Sequence, residues 1–424
     1  MDEDYDTDTS EHILEVRQQL IVHDPIHGSF TLPSIAWKII DTPEFQRLRL
    51  IKQTGNTCYV YPGAEHSRFQ HSLGVAHLSM EFGRTIKMKA PDMISHHEIL
   101  LLCIAGLCHD LGHCAYSHLY DSRIIPMFQK NKANQDRRSG ILKHEEASYR
   151  ILYRIWDRNP EISAILSIDD IRTIGKMILG SPDKVPVNLR GEIIWTEYDR
   201  AHSFLYEVVS NERTGIDVDK FDYLKRDSHY IGIPCTFDPQ RLMNFLSLDK
   251  HETSYCVNYL RKSDELVNSM WLARDDLHRR AYQHRVVKCV DLMTVEMIKR
   301  CAEAVVPTTT VLLKEAHYSL DSYLQLTDAS IVSMAEQIPE AKKILDRIRS
   351  RELWPTVATI TSPKFLDMTD YFQETTVDIR IAEASLHNEF VYYLYNASDP
   401  HQDPDKEFYI ELINCAKGGK IKLR

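Results

Sequence analysis

The 424-residue chain has no Cys-x-x-Cys pair, no internal repeat and no apolar run near the ~18 residues that a membrane helix needs. Its nine cysteines are an odd count, so no disulfide framework is expected, and a reducing compartment, cytosol or nucleus, follows. The start, Met1 to His12, is acidic and polar and lacks the apolar stretch of a signal peptide. Positive charge is also short: 51 Lys and Arg against 61 Asp and Glu leave a net charge of −10, which argues against a dedicated nucleic-acid coat. What is present suits a large globular core. With 43% hydrophobic residues over this length, the chain can build two lobes.

Periodicity along the chain is mostly helical. Residues 1–19 read as an acidic flexible tail. Leu20 to Leu32 alternates around Pro25 and Gly28, as short extended segments do. Thr42-Pro43 opens a helix, with Thr as N-cap and Phe45, Leu48 and Ile51 on one face. Cys58 to Tyr61 reads as a brief strand closed by Pro62-Gly63. Helical spacing then runs from Phe69, from Ile99 to Leu107, from Ile168 to a stop at Gly180, and through Val286, Val290, Met293 and Met297. Residues 130–140 and 181–191 are polar loops, and Phe390 to Tyr395 is strand-like. The expectation is a mainly α protein: a helical body over 20–304, small peripheral β elements, and a smaller mixed C-terminal lobe over 305–424.

One stretch carries chemistry. Gly106 to Tyr116 reads Gly-Leu-Cys-His-Asp-Leu-Gly-His-Cys-Ala-Tyr, with His109-Asp110 at the end of an apolar helix. Nine of the 20 histidines fall between residues 66 and 144. His71 opens one helix, His109 and Asp110 end the next, and Asp219 in Asp-Val-Asp-Lys-Phe-Asp-Tyr offers a second acid. A lone His-Asp pair commonly does no more than cap a helix. Two histidines and two carboxylates in the order H…HD…D suit a divalent transition metal such as Fe, Mn or Zn. Such an ion lowers the pKa of bound water towards ~7 and points to hydrolysis. Lys220, Tyr223 and Asp227 fall at i, i+3 and i+7 and share a helix face.

Long motifs add a resemblance. Asp24-Pro-Ile-His-Gly, Arg68-Phe-Gln-His-Ser-Leu-Gly-Val, Ile104-Ala-Gly-Leu-Cys-His-Asp-Leu-Gly-His, Gly215-Ile-Asp-Val-Asp-Lys-Phe-Asp-Tyr and Leu277-His-Arg-Arg-Ala-Tyr-Gln-His span about residues 20 to 300. They resemble the HD-domain phosphohydrolases, and within them the deoxynucleoside triphosphate triphosphohydrolases of the SAM- and HD-domain type, without the SAM domain. The resemblance implies an HD-domain helical fold that converts dNTP to deoxynucleoside and inorganic tripolyphosphate. It places His71, His109, Asp110 and Asp219 on the metal, and His113, His118, His144 and Glu145 around the attacked phosphate. His118 would protonate the departing 5′ oxygen, with Asp121 tuning a neighbouring histidine. Arg68, Lys220 and Arg274 would meet the phosphates, together with Mg²⁺ carried by the nucleotide. Gln53, Tyr223, Asp227, His278, Tyr282 and Gln283 would take sugar and base, Tyr282 crowding C2′. Thr54 departs from the leucine of the family's human-type member.

The same resemblance implies activation by GTP or dGTP and assembly as a homo-oligomer, a dimer or tetramer. Asp41, Gln46 and Arg49 match the guanine-reading positions. Leu20 and Ile21 replace the expected Lys-Val pair, and residues 260–268 keep the second activator site poorly. Two alternatives stand beside this reading. One is a phosphodiesterase, nucleotidase or nuclease acting on another phosphate ester. The other is a nucleotide-gated, weak binder of single-stranded nucleic acid through the basic stretch Arg274 to Lys288.

Overall fold

The computed structural model describes residues 20–129, 143–181, 196–366, 372–375, 378–386, 389–397, 409–412 and 420–422. The expected acidic tail and nearly all of the two polar loops lie outside these residues. The chain divides into two compact units. The first comprises Gly55 and the residues before it, Gly63–Ala273 and Val305–Ile331; the second comprises Asn56–Pro62, Arg274–Ala304 and the chain from Val332 onward.

The first unit is mainly helical. It opens with the expected extended pair, an antiparallel hairpin of Ile21–Asp24 and Gly28–Thr31. The Asp24 carboxylate accepts the N–H groups of Ile26 and His27 and so closes the turn. Thr42 caps the helix Pro43–Gln46, which tightens into a 3₁₀ turn over Arg47–Leu50, and Phe45, Leu48 and Ile51 are buried. Two longer helices, Arg68–Lys89 and His96–Cys108, run antiparallel: Gly83 meets Ile99 and Leu102, and Gly106 meets Val75 and Ser79. The second of these is apolar all round and buried from Glu98 to Cys108, as a central core helix is. Ser95 and Glu98 form its capping box.

Helix Val218–Ile231 packs on the first of the pair where Gly74 leaves room for Asp222 and Arg226. Helices His144–Arg158 and Ile168–Leu179 meet where Gly175 faces the Tyr149 ring, and the latter stops at Gly180 in the left-handed region, as expected. A hairpin of Leu246–His251 and Ser254–Tyr259 lies within the same unit.

In the second unit, helix Arg285–Arg300 buries Val290, Met293 and Met297. Its core joins Cys289, Val290 and Met293 to Ile348, Trp354, Ala382 and Tyr395. Strand Glu389–Asn396, which contains the expected Phe390–Tyr395 run, is the centre of a three-stranded antiparallel sheet with Thr356–Ser362 and Ile379–Leu386. The expected strand at Cys58–Tyr61 is instead the end of a 3₁₀ segment, Gly55–Tyr59, followed by a turn at Val60. The Asn56 amide donates to Asp291 and Thr294, and the N–H groups of Val60 and Tyr61 return to the Thr57 carbonyl. With its hydrogen bonds closed locally, that segment has no use for a ladder.

The fold is therefore mainly α with small sheets. Among the described residues no helix is long and apolar enough to cross a membrane. The eight described cysteines are free, and burial pushes Cys103 up to about 12, an inert thiol in a core helix.

Candidate active site

All four expected metal ligands belong to the first unit. His71 lies in the first turn of Arg68–Lys89, His109 caps the end of His96–Cys108, Asp110 follows it, and Asp219 lies in the first turn of Val218–Ile231. Ligand atoms of His71, His109 and Asp110 fall within 4.8 Å of one another. Asp219 Oδ1 is 3.0 Å from His71 Nε2 and 3.5 Å from His109 Nε2.

Both tautomers are set from behind. His71 Nδ1 donates to Asp222 Oδ2 at 2.7 Å, and His109 Nδ1 donates to the Gly106 carbonyl at 2.8 Å. Each Nε2 therefore points at the carboxylates, buried and without a hydrogen-bond partner of good geometry. Orphaned imidazole nitrogens facing two carboxylates are the donor set that a divalent metal takes, and these residues fit one.

The charges agree. Burial alone depresses His71, but the adjoining carboxylates of Asp219, Asp222 and Asp110 outweigh burial and carry it up to about 10. Burial opposes ionisation of Asp219 as well, yet His109 and His71 hold it well below the usual carboxylate range. A site that attracts protons this strongly attracts a divalent cation, which displaces them on binding.

A second histidine group adjoins the first. His113, His118, Asp121 and His144 also bring ligand atoms within 4.8 Å of one another. His113 and His144 stack with centroids 3.8 Å apart, and His118 stands edge-on to both. Asp121, in the π-helical turn Tyr120–Ile124, accepts from His144 Nδ1 at 2.6 Å. Glu145 approaches the same nitrogen at 3.6 Å. His113 Nε2 lies 3.4 Å from Asp110 Oδ1, so one carboxylate faces both groups.

Their protonation is split. Burial lowers His144, but Asp121 more than reverses this and raises it. Burial, with Arg68 and His144 nearby, drops His113 well below the histidine range. His118 is open to solvent on one side, yet the recess around it and the cations His144 and Arg68 push it down to about 4.

The expected phosphate and sugar residues are found in two places. In the first unit Arg68 is buried, with Nη1 on Asp110 Oδ2 at 2.5 Å, Nε on Ser117 and Nη2 on the Gln53 carbonyl. Lys220 Nζ donates to Asp217, the N-cap of its own helix, at 2.9 Å. Lys220 and Tyr223 are half-buried and Asp227 is buried on that helix, and Thr54 is half-buried beside Gln53 in the chain. Gln53 and Asp227 are linked through a residue that the motifs did not single out: the Gln53 N–H donates to the His66 carbonyl, and His66 Nε2 lies 2.7 Å from Asp227 Oδ1. Gln53 Oε1 remains a buried acceptor without a partner.

Arg274, His278, Tyr282 and Gln283 belong to the second unit, at the end of helix Asp264–Leu277 and along the π-helical turn His278–Tyr282. His278 and Tyr282 meet edge-on at 5.1 Å, and burial with Arg274 and Lys288 pushes His278 down to about 4. Arg279 and Arg280 of the same turn are paired with acids, Asp275, Glu389 and Asp276.

Asp41, Gln46 and Arg49 lie close along one short segment of the first unit. Gln46 Nε2 donates to the Ile40 carbonyl, Arg49 Nε donates to Gln46 Oε1, and the Arg49 guanidinium covers the Phe69 ring at 3.4 Å. Asp41 is exposed at the end of helix Ser34–Ile40.

Sequence reasoning missed the support behind the ligands. Asp222 is fully buried and accepts from His71 Nδ1, His27 Nε2 at 2.6 Å, and Arg226 Nε and Nη2 at 2.7 and 2.8 Å. Asp24 takes the remaining side of Arg226 at 2.8 Å. The signal was in the sequence: Asp222 follows Asp219 by one helical turn and precedes Arg226 by another.

The HD domain family matches residues 68–224, a span that begins at Arg68 and encloses all four candidate metal ligands. The bovine deoxynucleoside triphosphate triphosphohydrolase SAMHD1 is 35% identical over 352 residues, 80% of this chain and 58% of that protein. The mouse protein of the same name is 36% identical over 374 residues, 81% of this chain and 54% of its own length. The chicken protein is 36% identical over 351 residues, 79% of this chain and 55% of its own. The chain thus spans a little over half the length of these curated relatives. Residues 68–224 thus match the HD domain, and about four fifths of the chain is similar to the SAMHD1 triphosphohydrolases.

Proposed function

We propose that the chain hydrolyses dNTP to a deoxynucleoside and inorganic tripolyphosphate. Asp110 carries the reading: one carboxylate faces both the metal-ligand set and the histidine group, so water activation and proton handling meet at one place. His71, His109, Asp110 and Asp219 would hold a divalent ion, Fe, Mn or Zn, which would supply an activated water at neutral pH and offset charge on the phosphoryl oxygens.

The chain's own residues do the rest. Arg68, already anchored on Asp110, faces the charge that builds on the α-phosphate. His144, whose protonated form Asp121 favours, would add positive charge there. As water attacks the α-phosphorus, the bond to the 5′ oxygen breaks and that oxygen takes a proton from His118. In the substrate-free protein His118 is neutral; a triphosphate with roughly four negative charges raises it towards the working range. Tyr223, Asp227 and Gln53 receive the sugar, with His66 orienting Asp227. In this reading residues 20–304 carry catalysis and 305–424 serve regulation or oligomer formation, with guanine nucleotide as activator through Asp41, Gln46 and Arg49.

The test is chromatography of products after incubation with each dNTP, with and without GTP, in Mg²⁺ and in Mn²⁺. Deoxynucleoside with tripolyphosphate is expected, and Asp110→Asn should abolish it without unfolding the chain. Release of monophosphate, or turnover retained in the variant, overturns the proposal. A second reading, hydrolysis of a simpler phosphate ester, draws on Lys220: tied to Asp217, it is already engaged, and a monoester needs fewer cations.

A further inference from the structure

The turn that delivers His118 is unusual. Tyr116 and Ser117 both have left-handed backbones, with φ of 60° and 56°. In that region the Cβ of an L-residue crowds the following carbonyl, so such residues occur singly unless the surroundings hold them. Two in succession, immediately before a histidine of the site, need an external clamp.

The clamp comes from far along the chain. Asp328, the first residue of helix Asp328–Gln337, accepts the Tyr116 N–H on Oδ1 at 2.7 Å and the Lys52 N–H on Oδ2 at 3.1 Å. Ser117 Oγ donates to the Lys52 carbonyl at 2.7 Å and accepts from Arg68 Nε at 2.8 Å. The approach holds at neighbouring positions too. The Tyr323 hydroxyl donates to the Gly112 carbonyl at 2.7 Å, and Arg47 Nη2 donates to the Leu111 carbonyl at 2.6 Å. The Leu326 carbonyl takes both the Cys114 thiol and Arg47 Nη1. Residues 323, 326 and 328 thus grip the loop at 112, 114 and 116, alternate residues of the run from the metal ligands to His118.

We propose that Asp328 is a positioning residue for His118: by holding the backbone N–H groups of Tyr116 and Lys52 it fixes the left-handed turn that aims His118 into the histidine group. Asp328 itself touches no histidine of the site. The proposal rests on the reading above, in which His118 serves the departing oxygen, and it amends that reading at one place: the catalytic body extends past residue 304 to take in Val305–Ile331, which belongs to the first unit.

The experiment compares Asp328→Ala and the isosteric Asp328→Asn with the parent chain, and adds Tyr116→Gly in the Asp328→Ala background. Asp328→Ala should lower kcat for dNTP by roughly ten- to a hundredfold, the usual cost of misplacing a catalytic group by about an ångström. KM and bound metal per chain should stay within about twofold, and Asp328→Asn, which keeps one acceptor, should fall between. Tyr116→Gly should then restore about fivefold or more of the lost kcat, because glycine takes a positive φ unaided. Hydrogen exchange of the Leu111–His118 stretch should speed up in Asp328→Ala and not in distant helices. Parental kcat in Asp328→Ala overturns the proposal, as does loss of metal and KM together with no rescue by glycine. A parental chain that does not hydrolyse dNTP sinks the functional reading instead, and unchanged exchange at Leu111–His118 would then still refute the clamp.

Discussion

Replacing Asp222 by Asn separates orientation of the metal site from its ligands. The side chain keeps its size, but the buried carboxylate that takes four N–H groups becomes an amide. Oδ1 now serves His27 and Arg226 Nη2, and Oδ2 serves His71 and Arg226 Nε. Whichever way the amide turns, its NH₂ meets an Arg226 donor. If it also faces His71 Nδ1, that ring must move its proton to Nε2 and lose its lone pair for a metal.

Two magnitudes follow. Removing one partner of a buried ion pair costs about 3–5 kcal/mol; Arg226 keeps Asp24, so the lower end, about 3 kcal/mol, is expected. At about 2–4 °C per kcal/mol for larger domains, the melting temperature falls by roughly 6–12 °C. Loss of a carboxylate behind a metal-bound histidine weakens metal binding by about 10–100-fold. Calorimetry on the metal-free chain reads the first. Competition with a chelator reads the second, since the stabilisation that metal adds shrinks as affinity drops. A variant that melts lower yet binds metal as tightly as the parent would show that Asp222 is a structural counter-ion alone. Parental values of both would refute the buried-network reasoning.

Three further outcomes can be checked. A Cβ at Gly74 would lie 1.9 Å from Asp222 Oδ1, so Gly74→Ala should mimic Asp222→Asn, with metal content after dialysis falling although no ligand is altered. Asp121→Asn removes the negative charge that does most to raise His144, leaving burial opposed only by Glu145 and Asp110, so the basic limb of the kcat–pH profile should move to lower pH with metal content unchanged. Away from the site, His97 and Asp170 pair at 2.7 Å, His97 raised by that bond and Asp170 lowered by it despite burial. The His97 contribution is complete below about pH 6.5 and fades as pH rises through its folded value; the Asp170 contribution is complete above about pH 4 and is lost as pH falls. The difference in denaturation midpoint between the parent and Asp170→Asn should therefore peak between those limits, and a flat difference across pH 4–8 would contradict the pairing.

Local chemistry explains which elements could be read from the chain. Helix Ile168–Leu179 carries its own start at Ser167, its stop at Gly180 and an apolar stripe between, so neighbours need supply nothing to define it. The buried helix before His109 likewise has its box at Ser95 and Glu98. Cys58–Tyr61 misleads because its residue types suit a strand, whereas its backbone N–H groups close locally on Thr57 and Asn56 beside it is held by Asp291 and Thr294, more than 230 residues away. The left-handed turn at Tyr116 and Ser117 is invisible for the same reason: neither residue favours it, and Asp328 holds it from a distance.

The site divides along the same line. Adjacent His109 and Asp110 announce themselves, but three acids at 217, 219 and 222 look equivalent in one dimension. The structure gives each a different task. Asp217 precedes the first helical turn, so its oxygen caps the Lys220 N–H. Asp219 and Asp222 are one turn apart on one face, and the spacing of a turn matches the two nitrogens of a single imidazole on the facing helix. His71 is held between them, Nε2 at 3.0 Å from Asp219 and Nδ1 at 2.7 Å from Asp222. One acid can therefore share a metal with that ring while the other fixes its tautomer. An Asp-x-x-Asp pair opposite a helix-borne histidine is a two-residue device. Only the cross-helix contact, allowed by the missing side chain of Gly74, tells which acid would ligate a metal and which orients the ring.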